Sequence, residues 1–306
     1  MNTLINKLNA IDCLKENTEE LYSIFKMVDG ATLPIIRVTV PINANFVRLR
    51  SNPCVGQYNH VSELQYPPAL STGYGRANIP YNPMFYCCAC SNININNEAA
   101  IFGTAIFESS KFATDINGIG KEGFTCSIWE CMRNLSLLAL PFGDNLEFTC
   151  NEIRAVQREW KSIIESDYVN PDSKGLIQYM SNEISKELHN KDYFKISNFV
   201  YWLLFHNEST RYADGIIYPS IKARGECLNI ALKTTAVDEA LLIKDVRMIQ
   251  LSKRQRDMKC RVVQYGTING RTIQYSAKQF SEKEILFFEK FDDGLNSISI
   301  INTSLT

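Results

Sequence analysis

Short apolar, strand-like runs stand on both sides of a helical middle, and this order restricts the chain to a mixed α+β architecture. From residue 46 to about 140, apolar runs alternate with polar loops, and the Gly/Pro/Asn-rich stretch 71–83 is too irregular for a helix. Residues 151–208 are expected to be mainly helical. Ile153, Val156, Trp160 and Ile164 recur on one helical face, and 194–205 is a dense apolar block suited to a buried helix. Residues 214–220 and 228–232 then read as a strand, a loop and a second strand. The segments 261–268 and 271–276, joined by Asn269-Gly270, predict a hairpin with a type I′ turn. Near the start, Leu14, Leu21, Phe25 and Val28 fall on one face and Gly30 follows as a stop, which predicts one amphipathic helix. Residues 31–45, with Pro34 and Pro41, read as an extended connector.

Composition narrows the function classes. At 306 residues and 45% hydrophobic, the chain can bury a sizeable core. Its 32 basic and 33 acidic residues give no overall pull toward nucleic acid, so no direct nucleic-acid partner is expected. The run Lys253, Arg254, Arg256, Lys259 and Arg261 reads as a solvated strand or loop face. Cys87, Cys88 and Cys90 crowd one apolar run, and no second pair stands at zinc-site spacing. Buried reduced thiols are the expectation, and no metal. No apolar run reaches ~18 residues and the first residues lack a signal-peptide pattern, so the expected location is cytoplasmic, without a membrane. His60, His189 and His206 are far apart, and His206 reads as a satisfied packing residue. Gly-rich phosphate loops and the Gly-x-Ser-x-Gly elbow are absent from the sequence.

Four separated patches together resemble the RES-domain family, toxins of RES–Xre toxin–antitoxin pairs. They are Phe46-Val47-Arg48-Leu49-Arg50; Glu63 to Pro68 with Gly75-Arg76-Ala77-Asn78-Ile79-Pro80; Met84-Phe85-Tyr86 leading to Ala105-Ile106-Phe107-Glu108; and Asp214-Gly215-Ile216-Ile217-Tyr218-Pro219-Ser220 with Gly225 and Asn229. The resemblance covers roughly residues 46–110 and 195–232. It implies an ADP-ribosyltransferase-like mixed-sheet core over 46–306, preceded by the 1–45 helix and connector and interrupted by a helical insertion at about 141–192. It further implies an NAD-degrading enzyme, a glycohydrolase or phosphorylase acting as a toxin or defence effector. NAD is then a substrate and no cofactor is needed. A protein ADP-ribosyltransferase and a non-catalytic nucleotide-binding module are the alternatives, with an Xre-type antitoxin as partner and a homo-oligomer left open.

The residue chemistry agrees with that implication. Cleaving the nicotinamide–ribose bond builds positive charge on the ribose while a neutral base leaves, so a carboxylate helps more than a general acid. Glu108 fits this role, with Tyr86 and Arg48 as its catalytic companions. Planar guanidinium forks suit a pyrophosphate, which makes Arg76, with Arg50, Asn78 and Ser220, the substrate-binding set. Arg50 also stands as the alternative to Arg48, on the argument that a one-residue slip flips a strand's face. Each residue has a plainer reading: Arg48 supporting its strand, Tyr86 as core, Ser220 capping a turn. Ala77 replaces the tryptophan of many members, which would loosen one pocket wall. Glu98 is the alternative carboxylate, since the family's tyrosine–glutamate spacing points to it, whereas the wording Ala105-Ile106-Phe107-Glu108 favours Glu108.

Overall fold

A computed structural model of the chain describes residues 3–52, 56–89, 98–140, 151–166, 168–188, 190–220 and 228–289. In chain order the elements are α1 (Thr3–Ala10), α2 (Thr18–Phe25), β1 (Ile36–Val40), β2 (Asn45–Ser51), α3 (Val61–Leu64), β3 (Met84–Ala89), α4 (Glu98–Ser109) and α5 (Lys111–Thr114). There follow β4 (Ile119–Cys131), β5 (Leu135–Ala139), α6 (Asn151–Glu165), α7 (Pro171–Ile184) and α8 (Phe194–Tyr201). Then come β6 (Gly215–Pro219), β7 (Leu228–Lys233), α9 (Thr234–Ala240), β8 (Leu241–Arg254), β9 (Asp257–Asn269) and β10 (Thr272–Ala277). The architecture is mixed α/β. The described residues fall into two units, the first within 1–46, 65–93 and 130–242, the second within 47–64, 94–129 and 243–306.

In the first unit the strand order is β1-β5-β6-β7-β3, with only β5 and β6 parallel. The stretch read as a connector therefore contains a strand, β1, paired along its length with β5. The N-terminal segment is two helices and not one. Asp12 Oδ1 accepts from the Leu14 amide in the intervening turn, and Leu14 is exposed. Asn17 then caps α2, accepting from the Glu20 amide at 3.2 Å and donating to the Glu20 carboxylate, the reciprocal pattern that starts a helix. Leu21 and Phe25 do face the core, where Phe25 meets Phe199 edge-on at 5.5 Å and Trp202 at 5.4 Å. The helical middle appears as expected, with Trp160 buried on α6 and α8 almost wholly buried. A π-helical turn, Trp202–His206, follows α8. His206, read as a packing residue, is exposed and packs its ring against Tyr201 and Tyr22.

In the second unit the order is β2-β4-β8-β9-β10, and the tail hairpin is antiparallel. Its turn falls one residue later than the Asn-Gly pair suggested. Asn269 pairs with Thr272, and Gly270 takes the first central position with φ +62. Arg271 is not among the positive-φ residues, the pattern of a type II′ turn and not of I′. Lys253, read as part of a solvated face, is 3% exposed and donates to the carbonyls of Phe112, Ala113 and Asp115. Among the described residues Cys87, Cys88, Cys126 and Cys131 are buried thiols, and burial pushes Cys131 up to about 11. Cys90 and His189 lie outside the described residues.

Candidate functional site

The second and third sequence patches meet in the first unit. Gly75 N–H donates to Asn78 O at 3.0 Å, folding 75–78 into a tight turn. The Tyr86 hydroxyl enters that turn from β3, donating to Asn78 Oδ1 at 2.6 Å and accepting from the Ala77 amide at 2.9 Å. Asn78 Nδ2 in turn holds Gly73 O at 2.5 Å. A Cβ on Gly75 would lie 2.5 Å from Asn78 Oδ1 and 3.0 Å from the Tyr86 hydroxyl, so glycine is required by close approach and not by a left-handed φ. Gly75, Asn78 and Tyr86 are therefore one interlocked structure. Ala77 is buried within it.

Arg76 points out of the same turn to the end of α7. Its Nη1 donates to Ile184 O at 2.6 Å and to Lys186 O at 2.9 Å, and the guanidinium carbon lies 5.8 Å from the Tyr193 ring centroid. A cation at a helix C-terminus is stabilised by the unpaired carbonyls and the macrodipole. Both bonds use one nitrogen of the five-donor guanidinium fork.

The fourth patch is largely structural. The Asp214 carboxylate takes a two-pronged contact from Arg133, at 2.8 and 3.1 Å, and accepts from the Ser136 amide. That contact holds the Arg133 guanidinium above its usual pKa, chiefly through the hydrogen bond to Asp214. A Cβ on Gly215 would lie 2.2 Å from Ala231 O, so this strand closes on β7 only with glycine there. Tyr86, Ala231 and Ile216 stand opposite one another across β3, β7 and β6, and Cys88, Asn229 and Tyr218 form the next row. Cys88 donates from its thiol to Asn229 Oδ1 at 3.4 Å. Ser220 follows β6 and is fully buried, while Gly225 lies outside the described residues.

The second unit gathers the other candidates. Arg48 and Arg50 lie two residues apart on β2 and so share a face; a one-residue slip does not separate them. Each donates to the end of α3, Arg48 Nε to Leu64 O at 3.1 Å and Arg50 Nη1 to Glu63 O. The Arg50 guanidinium also lies 4.8 Å from the Tyr58 ring centroid. Glu108 is half-buried in the last turn of α4, and the neighbouring Ser109 Oγ donates to Leu49 O at 3.3 Å. That bond fastens the Glu108 turn to the segment of β2 that carries both arginines. A carboxylate in a C-terminal helical turn opposes the macrodipole, so helix stability does not account for its presence. Glu98 is the first residue of α4, as the sequence reading placed it, and its side chain lies outside the described residues.

An open depression of about 890 Å³ lies elsewhere in the first unit, lined by Asp29, Arg37, Leu138, His206 and Ser209 among others. None of the candidate NAD-site residues lines it. Its wall is built by Asn207 Oδ1, which accepts from the Ser209 amide and hydroxyl and from Thr210. Among the described residues no group of three His, Cys, Asp or Glu side chains is placed to hold a metal ion, and no helix is long and apolar enough to cross a membrane. No protein-family model matches the chain, and no curated protein matches it.

Proposed function

We propose that the protein cleaves the nicotinamide–ribose bond of NAD, on an ADP-ribosyltransferase-like fold, and passes the ADP-ribosyl unit to water or phosphate. The observation that carries this reading is the Ser109–Leu49 bond, which sets the Glu108 turn against the strand bearing Arg48 and Arg50. A carboxylate and two guanidinium groups suit a substrate that develops ribosyl cation character and carries an anionic pyrophosphate. In this scheme Glu108 stabilises the ribosyl cation, and Arg48 and Arg50 receive the pyrophosphate. Within the first unit, Tyr86 and Asn78 hold the Gly75–Asn78 turn in shape, and Arg76 is that turn's candidate for an anionic group. Ser220, being fully buried, supports the end of β6.

The test is incubation of the purified protein with NAD, with and without phosphate and with and without chelator, followed by product identification. Nicotinamide release unaffected by chelator is expected, with ADP-ribose or its phosphorylated counterpart as second product. Label transferred to protein would redirect the reading to a protein ADP-ribosyltransferase, and NAD bound but intact would make it a binding module. Glu108→Gln should lower the rate by ~100-fold or more, and Glu98→Gln should not. The reverse result would move the catalytic carboxylate to Glu98. As a toxin acting by NAD depletion, the protein should arrest a bacterial host unless a partner of the Xre type blocks it.

A further inference from the structure

We propose that Tyr193 and the C-terminal end of α7 form a positioning device for the Gly75–Asn78 turn, so that the helical insertion governs the substrate loop. The inference rests on the NAD-cleaving reading for its kinetic consequence, but its structural half stands alone. The turn is held from two sides. On one side the Tyr86 hydroxyl bridges the Ala77 amide and Asn78 Oδ1. On the other, Arg76 is the bolt: Nη1 is fixed by the carbonyls of Ile184 and Lys186, and the ring of Tyr193 lies against the guanidinium. Tyr74, just before the turn, meets Phe194 edge-on at 5.9 Å, and Phe194 opens α8 directly after Tyr193. The segment from the end of α7 to the start of α8 thus contacts the turn at both Tyr74 and Arg76.

The chemistry explains why one ring can matter. A guanidinium with a free rotor samples many orientations, and its planar fork recognises paired oxygens only when its plane is set. The two carbonyls fix one nitrogen, and an aromatic face fixes the plane. Tyr193 is half-buried, outside the core, and absent from every patch singled out in the sequence. Removing its ring should free the Arg76 plane without unfolding the helices. Substrate binding should then suffer while the chemical step is untouched, which is a change in KM with kcat retained.

The experiment compares wild type, Tyr193→Leu, Tyr193→Phe and Arg76→Ala by hydrogen exchange of residues 73–79 and by NAD cleavage kinetics. In Tyr193→Leu the amides of Gly75 and Ala77 should exchange about fivefold faster, the factor matching loss of one cation–aromatic contact. KM should rise by about the same factor with kcat retained, and Tyr193→Phe should behave as wild type because the ring face is kept. Arg76→Ala should loosen the turn further. Unchanged exchange of 73–79 in both Tyr193→Leu and Arg76→Ala would overturn the proposal whatever the NAD assay gives. Faster exchange in a protein that never cleaves NAD would sustain the positioning role and reject the NAD reading. A fall in kcat with KM unchanged would also overturn it, since the ring would then act on the chemical step.

Discussion

Arg76 and Lys253 both set a cation against carbonyls at the end of a helix, yet they do so in different ways. Lys253 is 3% exposed and its ammonium meets three carbonyls, those of Phe112, Ala113 and Asp115, at the end of α5. An ammonium has three donors, so its capacity is filled. Arg76 is half-buried and bonds two carbonyls through one nitrogen of a five-donor fork. The first is a closed structural joint, and the second is a joint with one face still able to bind. A basic residue's role is thus read from how much of its donor set the protein itself has filled.

The largest effect should come from closing the comparison at the Lys253 end. Lys253→Met keeps the stem and removes the ammonium, leaving three carbonyls at the α5 end short of a donor. A loss of about 3 kcal/mol in unfolding free energy is expected from urea titration. A loss under about 1 kcal/mol would mean that water replaces the ammonium freely and that burial there is shallow.

Next in size is Tyr86→Phe, at about 2 kcal/mol, because it strands the Ala77 amide and Asn78 Oδ1 in a turn whose Ala77 and Asn78 are buried. Gly75→Ala attacks the same lock from the other side, by steric overlap with Asn78 Oδ1. If the two variants loosen residues 73–79 together in hydrogen exchange, the turn and the strand residue are one unit. Loosening in only one of them would separate the patches again.

Arg76→Met should cost less in stability, about 1 kcal/mol for a half-exposed helix-end contact, but KM for NAD should rise about tenfold or more as the outer edge is lost. The polar, Gly/Pro-rich loop around Arg76 leaves little cavity on truncation, so the stability loss comes from the helix-end contact. That contact is the pair of α7-end carbonyls that Nη1 meets. A variant that loses stability as Lys253→Met does, with NAD binding intact, would make Arg76 a closed joint as well.

What was legible in the sequence followed from local rules, and what was missed followed from tertiary partners. The helical middle and several strands could be read because apolar spacing carries them, and the hairpin because of its Asn-Gly pair, whereas β1 was read as a connector. The split between α1 and α2 was also legible in principle, in the Asn17-x-x-Glu20 cap that the apolar spacing overrode. Lys253 could not be read, because Leu251, Ser252 and Lys253 are all buried and the strand shows no alternation there. Its partner, a four-residue helix, leaves no periodic trace. The site candidates were legible as wording, yet the use of Arg76 by α7 joins residues more than 100 positions apart. Nothing local in 72–81 announces Ile184 or Tyr193.

The smallest effect should come from the residues next to Lys253, and it tests whether the rest of the basic run is solvated as the sequence reading held. Arg254 faces Asp257 across the β8–β9 turn at 3.9 Å, with side chains 37% and 70% exposed. An ion pair that open to water contributes little, because solvent screens it and both side chains lose freedom in forming it. Asp257→Asn keeps the shape and removes the charge, so stability should change by less than about 0.5 kcal/mol. Whatever difference is seen should shrink further in high salt, since screening acts on exposed charges first. A loss above about 1 kcal/mol that persists at high salt would show that the turn's charges are held as Lys253 is, by the fold. The contrast drawn between Lys253 and its neighbours would then fail.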